Sequence, residues 1–196
     1  QQRKLQQELK DRRVSVMMSQ IRTHFIFNVM TIISGLCNSD PQKADDAIIL
    51  FARYLRKNIA IMERDEPILF SQELQHLEDY IYLEKMRFGD ELQIVYDIQV
   101  QSFLIPSLTL QPIAENAVKH GVGKKTGGGT VWIRTEENAD CYMVVVEDDG
   151  VGYAPQQTTD DGRSHIGVEN VGKRLKEMVQ GTLTIERLEQ GGTKAV

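Results

Sequence analysis

Four short stretches of this chain hold side chains of the type, and at the spacing, that do chemistry. In "IRTHFIFNVM" (21–30) one histidine, His24, stands in an apolar run. On a helix it lies about 100° round from Phe25, beside the apolar stripe, and Gln20 and Asn28 make with it a short polar strip. Such a histidine is either hydrogen-bonded at the edge of a core or an accessible nucleophile. "IAENAVKHG" (113–121) places Asn116, Lys119 and His120 within one helical turn. An amide oxygen there can ligate Mg²⁺, and a lysine and a histidine can reach phosphates. "EDDGVG" (147–152) follows the apolar run Met143 to Val146. Asp148 is then a carboxylate at a strand end. Gly150 and Gly152 let a planar ligand approach the backbone while that carboxylate accepts a hydrogen bond from it. "HIGVENVGKRL" (165–175) puts Gly167 at a helix start, where backbone amides attract phosphate. Singly, the last three stretches also read as a solvated helix face, a β-turn and a helix cap.

These residues need elements to hold them. The first third reads as helix: Leu5, Leu9, Val16, Met18, Ile21, Phe25, Ile32 and Leu36 recur at helical spacings. Residues 1–10 are polar apart from two leucines and need a coiled-coil partner strand. The helix is expected to stop near Cys37–Asn38. Asp40-Pro41 then starts a second one, with Asp as N-cap and Pro in the first turn, carrying Ala44, Ile48, Leu50, Phe51, Leu55 and Ile59 to about residue 63. The pair forms a helical hairpin whose wide apolar face one copy cannot bury, and two copies make a dimeric four-helix bundle.

Beyond "RDEP" (64–67) the period changes. Ser71 is expected to cap a helix reaching about Phe88, with further helices over Ser107–His120 and from about Gly167 to Gln180. Strand-like runs cover "LQIVYDI" (92–98), "TVWIRT" (130–135), "CYMVVVED" (141–148) and "GTLTIERL" (181–188). This alternation implies an α/β sandwich on an antiparallel or mixed sheet, so the fold class is α+β. "GVGKKTGGG" (121–129) invites a phosphate-loop reading and fails it. Lys125 follows Gly123-Lys124 where that loop requires Ser or Thr, so a flexible connection is expected.

Composition narrows the classes. Hydrophobics at 41% and charges at 26% suit a soluble domain with a real core. A formal charge of −5, with no basic stripe, argues against nucleic acid as a partner. Cys37 and Cys141 fit no ligand spacing and read as reduced, buried thiols of a cytosolic protein. No apolar run reaches the roughly 18 residues needed to span a bilayer. The chain opens "QQRKLQQELKDRRV" without an initiator Met and stops at "GGTKAV" as a strand begins, and is read as a piece of a longer protein.

The order of the motifs is more specific than any one of them. An asparagine-bearing helix, a strand, Asp-x-Gly-x-Gly, a loop, a glycine-started helix, a strand and Gly-Gly-Thr follow one another over residues 67–196. This resembles the Bergerat-fold ATP-binding domain (GHKL type) of histidine kinases, gyrase-type ATPases and Hsp90. The resemblance implies that Asp148 accepts from the adenine amino group, that Gly150 and Gly152 shape the pocket, and that Asn116 binds Mg²⁺. It also places Gly167 at the phosphates, Thr193 behind the adenine, and residues 153–166 as a lid, with Lys119 and His120 inside the site. "QIRTHFIFN" (20–28) resembles the phosphoacceptor motif of LytS/YehU-type sensor histidine kinases, and "LEKMRF" (83–88) and "LQPIAENAVKHG" (110–121) are similar to that family as well. Two positions depart from the family pattern. Thr23 stands where proline precedes the histidine, and His165 stands where the first glycine of a Gly-x-Gly sits.

The resemblance implies an ATP-dependent protein-histidine kinase of a two-component system, with ATP and Mg²⁺ as cofactors. Residues 1–66 would be the dimerisation and phosphoacceptor domain, with His24 the acceptor, and residues 67–196 the ATP-binding domain. Its partners would be a second copy, in a homodimer, and a response regulator whose aspartate receives the phosphoryl group. The whole would be the cytoplasmic portion of a membrane-anchored bacterial sensor, anchored only through regions outside this chain. By analogy with other histidine kinases, Asn28 positions a water that dephosphorylates the regulator; alternatively it orients His24 or bonds across the bundle. Three other readings stay open: a gyrase-type hydrolase, a serine kinase of the anti-sigma type, and a non-catalytic binding module. The first is disfavoured because its water-activating glutamate, four residues before the metal asparagine, is here Pro112.

Overall fold

The computed structural model describes residues 23–62, 66–152 and 164–196, so expectations for the amino-terminal coiled coil and for residues 153–163 lie outside the described residues. The chain divides into two compact units, Gln1–Arg64 and Asp65–Val196.

In the first unit, α1 (Thr23–Ser39) and α2 (Pro41–Met62) form the hairpin. Asp40 ends one helix and starts the next. Its Oδ1 accepts the Lys43 N–H at 3.2 Å, as an N-cap should, and its own N–H donates to the Leu36 carbonyl. The buried stripe runs Phe25, Val29, Ile33 on α1 and Ala44, Ala47, Leu50, Phe51, Tyr54 on α2. Phe25 meets Phe51 and Tyr54 edge to face, at centroid separations of 6.3 and 5.3 Å. Ile48 and Ile59, expected in the core, are exposed instead, together with Ile49, Met30 and Phe27, the last at 66%. The helical period puts the two isoleucines off the buried stripe: Ile48 lies about 100° round from buried Ala47, and Ile59 about 100° round from buried Asn58.

In the second unit, β1 (Ile68–Leu69) leads into α3 (Phe70–Phe88), followed by β2 (Leu92–Ile98), β3 (Leu104–Ile105) and α4 (Leu110–Asn116). Then come β4 (Gly129–Glu137), β5 (Tyr142–Asp148), α5 (Ser164–Val179), β6 (Ile185–Arg187) and β7 (Thr193–Ala195). The sheet is mixed, in the order β2-β4-β5-β7-β6, with β2 parallel to β4 and the other pairs antiparallel. β1 and β3 pair separately. Alternation sets the faces: Val131, Ile133 and Thr135 of β4 point inward, with Val146 and Asp148 opposite them on β5. Leu74, Leu77, Tyr80 and Ile81 of α3 are buried as well. Burying each such side chain is worth roughly 1.5–3 kcal/mol.

Several boundaries differ from expectation, each for a local reason. Leu69, not Ser71, is the N-cap of α3, and no side chain caps it. α4 starts at Leu110 because Leu108 has φ +54°, which breaks the helical path from Ser107. After Asn116 the helix widens into an i→i+5 turn over Ala117–Gly121. In 181–188 only Ile185–Arg187 is strand. Loop 121–129 is pinned, not flexible: Lys125 Nζ donates to Asp149 O and Oδ2 at 2.9 and 3.0 Å, and a Cβ on Gly128 would collide with the Glu91 backbone. Cys37 and Cys141 are both exposed, contrary to the buried thiols expected. Among the described residues no helix is long and apolar enough to cross a membrane.

Candidate functional site

β5 delivers its last residue, Asp148, into the interior, where it is 2% exposed. Its Oδ1 accepts the Gly150 N–H at 2.9 Å, and Thr193, its antiparallel neighbour on β7, donates to it from hydroxyl and backbone. Burial pushes the carboxyl up to about 6, against the pull of those hydrogen bonds, and the neighbouring Asp149 adds to the rise. At neutral pH the group is still ionised and acts as an acceptor.

Glycine backbone packs closely around Asp148 and its neighbours. A Cβ on Gly121 would overlap its Oδ1, one on Gly192 would overlap its carbonyl, and one on Gly150 would overlap Gly121. Gly121 and Gly192 were not singled out from sequence, although "KHG" and "GGT" carried them. Only their closeness in space gives them a role. Gly152 has φ +84°, a conformation that favours glycine. Asp149 turns away, its Oδ1 accepting the Thr130 N–H at 2.7 Å and its Oδ2 facing Lys125.

The widened turn after α4 brings the second motif to the same corner. It carries Lys119 and ends at Gly121, whose carbonyl accepts the Val151 N–H at 3.4 Å. Asn116, half-buried, closes α4 just before it. Lys119 Nζ lies 3.8 Å from Glu84 and 3.9 Å from Glu115. The side chains of His120 and His165 lie outside the described residues. Gly167 is the fourth residue of α5, in its first turn and not at its start, and a Cβ there would reach Pro112 of α4 at 3.8 Å. Residues 164–166, expected in the lid, belong to that helix.

The segment entering α4 is gripped from both sides. Glu73 of α3, fully buried and pushed up by that burial, accepts the N–H groups of Leu108 and Leu110 at 3.0 Å each. Arg174 of α5 donates to the carbonyls of Ser107 and Leu108 at 2.5 and 2.8 Å. The positive φ of Leu108 is held by this pair. A helix capped by a carboxylate 37 residues upstream leaves no local signature.

His24, in the other unit, is exposed on α1, and Asn28 Nδ2 lies 3.2 Å from its Nδ1. His24 and Asn28 thus lie together on an exposed part of α1, and Gln20, the third member expected of the polar strip, lies outside the described residues. Among the described residues no group of three or more His, Cys, Asp or Glu could hold a metal.

Known proteins match both units. The histidine kinase family profile covers residues 12–92, and that of the histidine kinase-, DNA gyrase B-, and HSP90-like ATPases covers residues 106–196. The uncharacterized protein YwpD of Bacillus subtilis (strain 168) is 35% identical over 92% of this chain and 67% of its own length. Sensor histidine kinase YpdA of Escherichia coli (strain K12) is 37% identical over 88% of this chain and 32% of its own length. Sensor protein LytS of Enterococcus faecalis is 27% identical over 94% and 33%. In structure, the mycobacterial sensor histidine kinase MprB aligns over 66% of this chain and 93% of its own, with TM-score 0.50 and 15% identity. A bacterial phosphotransferase aligns over 93% of this chain with the same TM-score and 13% identity. The fold and the matched ATPase profile thus define an α+β protein with a domain of the GHKL, or Bergerat, ATPase type. The chain belongs to the histidine kinase family, with LytS-type and YpdA-type sensors among its relatives. It spans about a third of the length of those sensor kinases.

Proposed function

We propose that this chain is the kinase portion of a two-component sensor, with residues 67–196 binding Mg·ATP and residues 1–66 presenting His24. A ring nitrogen of His24 attacks the γ-phosphorus in line. A P–N bond forms, the bond to the β,γ-bridging oxygen breaks, ADP leaves with its electron pair, and the ring gives up one proton. The phosphoryl group then passes to an aspartate of a response regulator.

The observation that carries the nucleotide reading is the buried, ionised Asp148, with the Gly121 backbone against its carboxylate and the Gly150 N–H donating to it. An acceptor there fits the adenine amino group and opposes the keto oxygen that guanine has in its place. Gly150 and Gly152 leave room for the base, and Thr193 keeps the carboxylate oriented. Asn116 and Lys119, with His120, are assigned to the phosphate side, and Gly167 to the turn of α5 beside them. Asn116 offers one hard amide oxygen, which fits Mg²⁺, an ion held by few protein ligands plus phosphate and water. The ion supplies charge neutralisation on the phosphates.

The exposed Phe27, Met30, Ile48, Ile49 and Ile59 support a homodimer through residues 1–66, because five large apolar side chains left in water on the two helices of one hairpin favour burial against a second copy. Asn28, in contact with the His24 ring, either orients it or later places a water. Membrane anchoring, as in a bacterial sensor with this part in the cytoplasm, would come through segments outside these 196 residues.

Incubation with γ-labelled ATP tests the proposal. Protein-bound label that is acid-labile and base-stable, and that His24→Gln abolishes while ATP affinity is unchanged, is the expected result. Label retained in that variant would move the acceptor elsewhere, and acid-stable label would point to a serine kinase.

A further inference from the structure

The stretch "LEKMRF" (83–88) has no part in the chemistry described so far, yet it contributes the most enclosed charge beside Lys119. Glu84 is 1% exposed on α3. Its Oε1 accepts the Tyr80 hydroxyl at 3.1 Å and lies 3.8 Å from Lys119 Nζ. Its Oε2 accepts Arg87 Nη1 at 3.4 Å. Arg87 is a third exposed and stacks over Phe88, 4.3 Å from the ring centroid, which fixes its guanidinium in place. Lys119 shares the same carboxylate as an ion pair and not through a short bond: its Nζ lies 3.8 Å from Glu84 and 3.9 Å from Glu115, 5.9 Å from the centre of the Tyr80 ring, and its side chain is only 12% exposed.

A lysine assigned to the nucleotide phosphates therefore rests between Glu84 and Glu115. Leaving Glu84 would strand a buried carboxylate, a strongly unfavourable change unless a second cation remains. Arg87 is that cation, on the other oxygen. We propose that Glu84 is a positioning residue that parks Lys119 beside Asn116, and that Arg87 is the counter-ion that releases Lys119 to a nucleotide phosphate. The proposal rests on the nucleotide reading of Lys119. On binding, Lys119 exchanges a carboxylate for a phosphate oxygen, and the Tyr80 hydroxyl and Arg87 together keep Glu84 satisfied.

The test is a set of affinities for ATP and for adenosine, which lacks the phosphates, measured by titration on the whole chain. Lys119→Met should weaken ATP about tenfold or more, the scale of a lost charge-assisted hydrogen bond, and leave adenosine unchanged. Arg87→Gln should do the same, because Glu84 then keeps Lys119. Glu84→Gln/Arg87→Gln should restore ATP affinity to within about threefold of the wild type, because no buried charge is left to hold the lysine. Arg87→Lys, which keeps a cation, should also bind ATP well. The exchange is overturned if Arg87→Gln binds ATP like the wild type, or if the double variant stays weak, as it would were Arg87 itself a phosphate ligand. It is also overturned if Arg87→Lys is as weak as Arg87→Gln, the outcome of a purely structural role. A wild-type chain that binds adenosine and ATP equally, or neither, overturns the phosphate reading of Lys119 itself and the exchange with it.

Discussion

Replacing Asp148 with Asn should make the protein more stable and less able to bind ATP. The amide matches the carboxylate in shape. Its oxygen can still accept the Gly150 N–H, and the Thr193 hydroxyl can turn to accept from its NH₂; the Thr193 backbone N–H loses a charged acceptor, which makes the gain in stability an upper value. What changes is the charge. Because burial raises Asp148 from 3.8 to about 6, the folded protein binds more protons than the unfolded chain between those pH values. Stability therefore falls as pH rises through that window. The interval is worth about 3 kcal/mol at 1.36 kcal/mol per pH unit. Above about pH 6 the wild type carries this whole penalty, and the Asn variant carries none. Thermal melts followed by circular dichroism should thus place the variant up to about 8–10 °C higher at pH 7, and close to the wild type near pH 3.5. Added ATP should raise the wild-type transition at pH 7 and move the variant far less, since a charge-assisted bond of roughly 1.5–3 kcal/mol is lost. A variant that is destabilised equally at both pH values would refute the electrostatic argument. One that is stabilised by ATP as much as the wild type would remove Asp148 from the adenine.

Other substitutions probe the remaining steps. Phe27→Asp charges an exposed residue of the hairpin and should convert dimer to monomer in light scattering at micromolar concentration, with helix content kept; Phe25, buried between Phe51 and Tyr54, is unsuitable because a charge there would unfold the hairpin itself. A wild type already monomeric would count against the bundle. Gly150→Ala forces a methyl group into the Gly121 backbone and should cost about 1–3 kcal/mol of stability together with ATP binding, read by melts with and without nucleotide. Asn28→Ala loses the contact to His24 Nδ1. Early loss of self-phosphorylation would mean that Asn28 orients the ring, whereas normal self-phosphorylation with a longer-lived phosphorylated regulator would mean that it places a water.

The local chemistry of this protein is written in consecutive residues. Asp40-Pro41 starts a helix because a side-chain oxygen and a fixed φ act within one turn, and "LQIVYDI" is a strand from Leu92 to Ile98 because alternation is a local period. Asp148 at a strand end, followed by two glycines, and the Asn116–Lys119 turn are likewise short-range patterns, and so are His24 and Asn28 on one helix face. What depends on distant residues was not legible. Ile48 and Ile59 share the helical period of the expected stripe that Ala44 begins, and only the packing of α1 on α2 decides that Ala47 and Tyr54 take the interior instead. The start of α4 is set by Glu73 and Arg174, far away in sequence, and the roles of Gly121 and Gly192 exist only because Asp148 sits against them. Glu84 stood in a recognisable stretch, but which cations share it is a matter of how α3 lies on the turn after α4. Periods and caps act over one turn or one strand pair and leave their mark in the sequence; burial, close approach and charge sharing join residues the chain keeps apart, and those the folded structure alone decides.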